Sequence, residues 1–385
     1  MKILLLTIFL SISLIGITYA DDAYDAYQNK DFETAFNEWQ KLAEQGGVKA
    51  QTNLALMYLR GEWVPSDRGK SIYWLRKAAE QGYDEAQYLL GRSYGGWGDQ
   101  YFLDGSLGGW GTQYFENIDE PLKWLTKAAE QGHDGAQLEL GDWYLYGSSL
   151  LGAPGMEINL KESFKWYKKA AEQGNAEAQY DLGSFYYIGY LGKNNKEAVK
   201  WYTKAAEQGN AEAQFKLGSM YQTGEGVSKN SIEALKWYTK SAEQGDSVAA
   251  IMLGDMYYFG EGVLKDYKKA FDWYSRSAVS GDAASQFSLG VMYANGEGVS
   301  KNDNYAVTWY TNAAEQGHAG AQYNLGRLYS HGYGGRIFTP LKVGPLKDRI
   351  KAKYWINKAY ENPNASPEIK ELSEHIWNTL KLWEY

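Results

Sequence analysis

Apolar side chains recur through most of this chain at spacings of three and four residues, which is the period of an α-helix. In the segment 230–245, "NSIEALKWYTKSAEQG", Ala234, Trp237 and Ser241 fall on one helical face. The segment 211–224, "AEAQFKLGSMYQTG", precedes it and has the same period. The pattern predicts two successive helices, called helix A (211–224 and its equivalents) and helix B (230–245 and its equivalents), each followed by a glycine.

This predicted helix pair is repeated along the chain. The phrase "AAEQG" or a close variant, followed by "AQ", "LG" and "Y", recurs mostly at a spacing of 36 residues. A constant period of this length is typical of a solenoid of stacked helix pairs. We expect about eight repeats over residues 47–360, with longer A-to-B loops at 95–116, 147–158 and 332–347.

Within the repeat, certain columns of residues predict helix ends and helix contacts. An Asp or Asn stands seven residues before the tryptophan of helix B and suits an N-cap, because its short side chain accepts from free backbone N–H groups. A mid-helix glycine recurs in helix A although it costs about 1 kcal/mol relative to alanine. We therefore expect another helix to approach it closely, with the helix B tryptophan as the source of the crowding. The predicted N-caps are Asp67, Asn117, Asn159, Asn194, Asn230, Asp266, Asn302 and Asp348. The glycines are Gly91, Gly141, Gly183, Gly218, Gly254, Gly290 and Gly326, and the tryptophans are Trp74, Trp124, Trp166, Trp201, Trp237, Trp273, Trp309 and Trp355.

With these motifs the chain resembles the Sel1-like repeat proteins, a branch of the tetratricopeptide-like α-solenoids. The resemblance rests on the 36-residue period, "W…AAEQG", "AQ..LG..Y" and the linker "GEGV", which is intact at 224–227, 260–263 and 296–299. It implies an all-α, right-handed α-solenoid of antiparallel helix pairs that acts mainly as an adaptor in protein complexes. It also links exported bacterial members to roles in the envelope and in host interaction.

The two ends of the chain depart from the repeat. Residues 1–20 are typical of a secretory signal, with an apolar run and the small residues Thr18 and Ala20 before the cut. We expect cleavage after Ala20 and export to the periplasm or cell exterior; the alternative is an uncleaved membrane anchor. No other stretch approaches the length of a membrane span. Residues 21–46 predict an N-terminal capping helix region and 361–385 a C-terminal capping helix, because the terminal units of a solenoid must cover its core.

Composition and charge restrict the chemistry. The 385 residues include no cysteine, which excludes disulfides and thiolate metal sites. The formal net charge is −8 without a basic cluster, which disfavours a nucleic-acid partner. The four histidines form no pair at metal-binding spacing, and we expect His133 and His318 to be surface or capping residues.

No catalytic residue, metal ligand or cofactor is predicted. The resemblance extends to cysteine-rich members described as penicillin-binding or β-lactamase-like, but this chain has no cysteine and no Ser-x-x-Lys motif. Such an activity is therefore only a weak family analogy, and we predict that the protein is not an enzyme. The equivalent linker carboxylates Glu225, Glu261 and Glu297 are interpreted as solvated surface.

Helix A offers the first candidate contact surface. Three of its columns, at a spacing of three, change from copy to copy while their neighbours do not, which places them on one helical face. The resemblance places that face along a concave groove. Drift of a solvated surface explains the variation equally well, but a large, mostly apolar group favours contact with an extended peptide or loop of a partner protein. The predicted groove residues are Tyr187, Lys216, Met252, Asp255, Tyr258, Phe259 and Arg327.

The loop 95–116 offers the second candidate surface. Its sequence "GGWGDQYFLDGSLGGWGTQYF" repeats itself and indicates a tandem duplication. Since all three long loops leave the same A-to-B joint, we expect them on one edge of the solenoid. Trp97, Tyr101, Trp110 and Tyr114 are predicted as a contact surface there. They also motivate an alternative function, binding of a cell-wall polymer or glycan through stacking of aromatic rings on sugars.

Overall fold

The described part of the protein consists of short helices that follow one another along the chain. The computed structural model describes residues 22–94, 119–147, 157–331 and 346–382, and these contain 19 helices and no strand. They are α1 (22–28), α2 (Phe32–Glu44), α3 (Val48–Arg60), α4 (Arg68–Glu80), α5 (Asp84–Ser93), α6 (Asp119–Glu130), α7 (Asp134–Tyr146), α8 (Leu160–Gln173), α9 (Ala176–Ile188), α10 (Asn195–Glu207), α11 (Ala211–Thr223), α12 (Ser231–Glu243), α13 (Ser247–Phe259), α14 (Tyr267–Val279), α15 (Ala283–Asn295), α16 (Asp303–Glu315), α17 (Ala319–His331), α18 (Leu346–Glu361) and α19 (Pro367–Thr379).

The chain forms two compact units, unit 1 (Met1–Trp201) and unit 2 (Tyr202–Tyr385). In unit 1 the odd-numbered helices from α3 to α9 are helices A, and in unit 2 the odd-numbered helices from α11 to α17 are helices A. Within each unit helices A pack against flanking helices B, as α7 packs against α6 and α8 and α13 packs against α12 and α14. The prediction of an all-α array of helix pairs is confirmed. None of the described helices is both long enough and apolar enough to cross a membrane.

The N-caps follow the predicted columns almost throughout. The side chains of Asp67, Asn159, Asn194, Asn230, Asp266 and Asn302 each accept a hydrogen bond from a backbone N–H in the first turn of a helix B. Asn117 lies outside the described residues. The prediction for Asp348 is wrong, because α18 already begins at Leu346.

The two histidines of the repeat are capping residues, as predicted. The Nδ1 atom of His133 accepts from the N–H of Ala136 at 3.1 Å, and that of His318 accepts from Ala321 at 3.2 Å. These positions are filled in other copies by Asn or Asp, as at Asn175, whose side chain accepts from a helix A in the same way.

The helix A glycines make room for the residue after the tryptophan. A Cβ atom at Gly254 would lie 2.5 Å from the Tyr274 ring, and one at Gly218 would lie 2.8 Å from the Tyr238 ring. The expectation that tryptophan causes the crowding is therefore wrong. Trp166, for example, packs into a core cluster with residues of α6 and α7 instead.

Pairs of glutamines connect the helices of a repeat, and we call them the glutamine links. The "AQ" glutamine of a helix A accepts from the amide of the "EQG" glutamine after the next helix B, as Gln214 accepts from Gln244 at 2.8 Å. The Nε2 atom of Gln214 in turn donates to the carbonyl of Ala206, in the preceding helix B, at 3.0 Å. Equivalent links join Gln51 to Gln81, Gln87 to Gln131, Gln137 to Gln173 and Gln286 to Gln316. In the last repeat Asn362 stands in place of the second glutamine and donates to Gln322.

Short helices lie at both ends of the described chain. The N-terminal region contains a helix pair, α1 and α2, and Trp39 of α2 is buried. At the other end Ser366 caps α19, Pro367 occupies its first turn, and Ile376 packs with Ile356 of α18.

Candidate functional site

Core tyrosines of helix B reach the variable face of helix A. Each ring lies across a helix A glycine, and its hydroxyl donates to a polar side chain that differs between repeats. Tyr274 donates to Asp255 at 2.5 Å, Tyr238 to Gln222 at 2.8 Å, and Tyr167 to Asp142 at 2.6 Å. In these three repeats a variable residue of helix A is thus held in position by a core tyrosine.

Sequence reasoning missed these tyrosines. The signal was the dipeptide "WY", which stands in α8, α10, α12, α14 and α16, where the helix A of the same repeat has a glycine. In α4 and α6 the same position is leucine, at Leu75 and Leu125.

Within unit 2, α13 brings together four of the predicted groove residues. Met252, Asp255 and Phe259 follow one another along the helix; Met252 is half-buried against the core, whereas the Phe259 side chain is 61% exposed. Burial raises the pKa of the Asp255 carboxyl, and the hydrogen bond from Tyr274 opposes that shift.

Tyr258 is part of the packing between repeats. Its ring centroid lies 5.2 Å from that of Tyr267 and 5.0 Å from that of Phe259. Its hydroxyl donates to Glu297 at 2.8 Å. The interpretation of this linker carboxylate as solvated surface is therefore wrong. Burial and the hydrogen bond to Glu297 both raise the pKa of Tyr258.

The remaining predicted groove residues are spread over other helices. In unit 2, Lys216 is half-buried on α11 and Arg327 is exposed on α17. Tyr187 lies in unit 1, on α9, where the Lys193 ammonium is 5.1 Å from its ring centroid. The predicted loop surface of Trp97, Tyr101, Trp110 and Tyr114 lies outside the described residues.

Unit 1 carries a group of buried acids at the same variable columns. Glu139 and Asp142 lie one turn apart on α7; burial raises the pKa of each carboxyl to about 7. The Nε atom of Arg92 on α5 is 3.6 Å from Glu139 Oε2. Among the described residues, no group of three or more histidines or acids has the geometry of a metal site.

Comparison with known proteins relates this architecture to the Sel1 repeat proteins. The model of the Sel1 repeat matches residues 48–83, 84–133, 135–175, 176–210, 211–246, 247–282, 283–318 and 319–364. A protective antigen of uropathogenic Escherichia coli with an SLR fold is 32% identical, covering 91% of this chain and 72% of that one, with a TM-score of 0.74.

A Sel1 repeat protein from Oxalobacter formigenes is 31% identical over 88% of this chain and 89% of that one, with a TM-score of 0.60. An F-box protein of Arabidopsis thaliana is 33% identical over 84 residues. The match spans only 23% of the length of that curated relative.

Proposed function

Because this chain belongs to the Sel1 repeat family, whose members are typically protein-interaction scaffolds, we propose that it is an exported, non-enzymatic scaffold. It binds a partner protein through the variable face of its helices A, and the loop edge serves as a second contact. The observation that carries this proposal is Phe259, an aromatic side chain 61% exposed on a helix that packs against both neighbouring helices B. Exposed aromatics on a preorganised surface are typical centres of protein contacts.

The packing of α13 determines which substitutions test the proposal. Replacing Met252 or Tyr258 would disturb the core as well as the face, since both pack against it. Phe259→Ala removes mostly exposed area, together with one edge contact to the Tyr258 ring. Leu264→Ala is the matched control, because that side chain is 92% exposed but lies in the linker after α13.

The measurement is recovery of binding partners from the native cell envelope, quantified by mass spectrometry. We expect at least one protein to be recovered equally by the wild type and Leu264→Ala, and about tenfold less by Phe259→Ala. A change of that size corresponds to about 1.4 kcal/mol of binding free energy. An identical set of recovered proteins for all three variants would count against the helix A face as the contact surface.

Export is proposed from the N-terminal signal alone. The full chain, expressed in a bacterial host, should be recovered outside the cytoplasm with Asp21 as its first residue, as intact-mass spectrometry can establish. Recovery of the full-length mass in the membrane fraction would instead indicate the uncleaved anchor.

The alternative function, binding of cell-wall glycan, is carried by the duplicated aromatic loop sequence. It predicts that the protein sediments with purified cell wall and that replacing Trp97 and Trp110 abolishes sedimentation. Sedimentation that persists after replacement of Trp97 and Trp110 would exclude the loop as the glycan-binding surface.

A further inference from the structure

Three acids and three tyrosines of unit 1 converge on one region of the helix A face. Asp142 and Tyr146 lie on α7, Tyr167 on α8, and Asp181 on α9, with Tyr190 just beyond its end. Tyr167 donates to Asp142 at 2.6 Å. The carboxylates of Asp142 and Asp181 both act to raise the pKa values of Tyr146 and Tyr167, and Tyr190 acts on Tyr146, so these groups lie within electrostatic range of one another.

Glu139 supplies a second and independent observation. Its residue is 8% exposed, and its Oε1 atom has no hydrogen-bond partner among the described residues. Glu139 Oε2 is 3.6 Å from Arg92 Nε, which is longer than a hydrogen bond. A buried carboxylate oxygen without a donor is costly, so the fold retains here an acceptor that an incoming donor would satisfy. Because Glu139 precedes Asp142 by one helical turn, that acceptor belongs to the same face.

We propose that Glu139, Asp142 and Asp181, together with Tyr146, Tyr167 and Tyr190, receive an arginine or lysine side chain of a partner protein. The inference deepens the proposed scaffold function and rests on it. The charge of the acids selects a cation, and tyrosine rings attract a cationic head and pack against its apolar stem.

The geometry favours an organic cation over a metal ion. The acids are spread along two helices, and they are not among any set of side chains placed to coordinate a metal. A guanidinium or ammonium group at the end of a flexible stem can instead contact carboxylates several ångströms apart. Arginine also matches carboxylates with a planar fork of donors.

Proton release provides a signature of this binding. Burial raises the pKa of both Glu139 and Asp142 to about 7, so each is partly protonated near neutral pH. Arg92 and His133 act on Glu139 in the opposite direction; for Asp142 the hydrogen bond from Tyr167 lowers the pKa and Glu177 raises it. A bound cation favours the ionised acids, so binding releases protons, and affinity falls as the pH drops below about 7.

The test is titration calorimetry on the mature chain with a short peptide in which arginine alternates with serine. A peptide with citrulline in place of arginine has the same shape without the charge. We expect the arginine peptide to bind at least about tenfold more tightly than the citrulline peptide at pH 7.5. Its binding heat should change with the ionisation enthalpy of the buffer, which measures the protons released.

The variants separate binding from structure. Asp142→Asn combined with Asp181→Asn should weaken binding of the arginine peptide about tenfold or more. Tyr274→Phe is the matched control, because it removes the same tyrosine-to-aspartate hydrogen bond in unit 2, where Met252, not a carboxylate, stands one turn before Asp255. A purely structural role would affect both variants alike, and circular dichroism verifies their folding. Asp181→Asn alone serves if the double variant does not fold.

Three results would overturn the inference: no binding of the arginine peptide, equal binding of the citrulline peptide, or unchanged binding by the Asp142 and Asp181 variants. Free arginine or spermidine binding as tightly as the peptide would overturn the assignment to a partner side chain. Loss of envelope partners with Phe259→Ala but not with the acid variants would contradict the inference while supporting the scaffold. The reverse pattern would exclude the Phe259 surface and retain the acidic site.

Discussion

The contact between Gly254 and Tyr274 shows how a single residue sets the separation of two helices. A methyl group at Gly254 would meet the tyrosine ring at 2.5 Å, so the ring or its helix must shift. We expect Gly254→Ala to lower the free energy of unfolding by about 1–3 kcal/mol, the range for overpacked cores. The measurement is the change in urea and thermal midpoints.

Two further variants give that prediction its controls. Gly69→Ala lies on the exposed start of α4, where a methyl group meets only the Asp67 side chain at 3.3 Å, so it should be neutral or slightly stabilising. Adding Tyr274→Leu to Gly254→Ala reproduces the combination of Ala55 and Leu75 in the first repeat and should recover part of the loss. Equal effects of Gly254→Ala and Gly69→Ala would contradict the packing explanation.

At the residue scale, the sequence predicts what is local. The caps were predictable because an N-cap depends on the few residues around it, and Asn159 and Asn230 carry out that role as expected. The contact of Tyr274 with Gly254 was not, because adjacent positions such as Trp273 and Tyr274 point about 100° apart on a helix. Periodicity alone does not say which of the two faces the neighbouring helix.

The glutamine links are a property of whole helices, since each one fixes a helix A relative to both helices B that flank it. Gln244→Ala leaves the Oε1 atom of Gln214 without its donor, and Gln214→Ala frees both Gln244 and the Ala206 carbonyl. We expect each single variant to cost about 1–2 kcal/mol and the double variant to cost less than their sum. A double-mutant cycle from denaturant unfolding measures that coupling; strict additivity would contradict it.

The sequence also contains a signal for the glutamine links, which is recognisable once their contacts are known. One repeat lacks both members of the link, with Ala250 at the "AQ" position and Ser280 at the "EQG" position. With both members replaced, no glutamine of this repeat is left without its amide partner. Substitution of a pair within one chain is evidence of contact, although a single sequence offers few such cases.

At the scale of the whole molecule, α7 of unit 1 and α17 of unit 2 should respond to pH in opposite directions. Burial raises the pKa of Glu139 in unit 1 to about 7, above its value in the unfolded chain, so its contribution to stability falls as the pH rises from about 4.5 to 7. Burial lowers the pKa of His318 in unit 2, and its Nδ1 must stay unprotonated to cap α17, so that contribution is lost as the pH falls below about 6.5.

Hydrogen exchange resolved by segment tests this contrast. Between pH 5.5 and 7.5, after correction for intrinsic rates, we expect protection to decrease in α7 and to increase in α17. Glu139→Gln should weaken the first trend, to which Asp142 also contributes, and His318→Asn, which keeps the cap, should abolish the second. Parallel trends in both helices, or trends unchanged by these substitutions, would contradict the assignment.

The proposed contact face was predicted only in part. The columns that vary between repeats mark one side of helix A, because residues that differ between copies need not fit the repeating core. The choice of Met252 and Tyr258 by apolar character selected side chains that partly serve packing. The acids Glu139 and Asp142 stood in the same columns but were not selected, since burial of a carboxylate depends on neighbouring helices that periodicity does not position.

The missing glutamine link has a consequence for how this chain can change its length. Each amide pair lies within one repeat, so removing residues 247–282, the repeat with Ala250 and Ser280, would leave the pairs of Gln214 and Gln286 intact. No amide pair would be lost, and Gln286 would meet Ala242, the equivalent of its present acceptor Ala278. Deletion or duplication of this repeat therefore disturbs the glutamine links least. Among natural variants we expect the number of repeats to change there first.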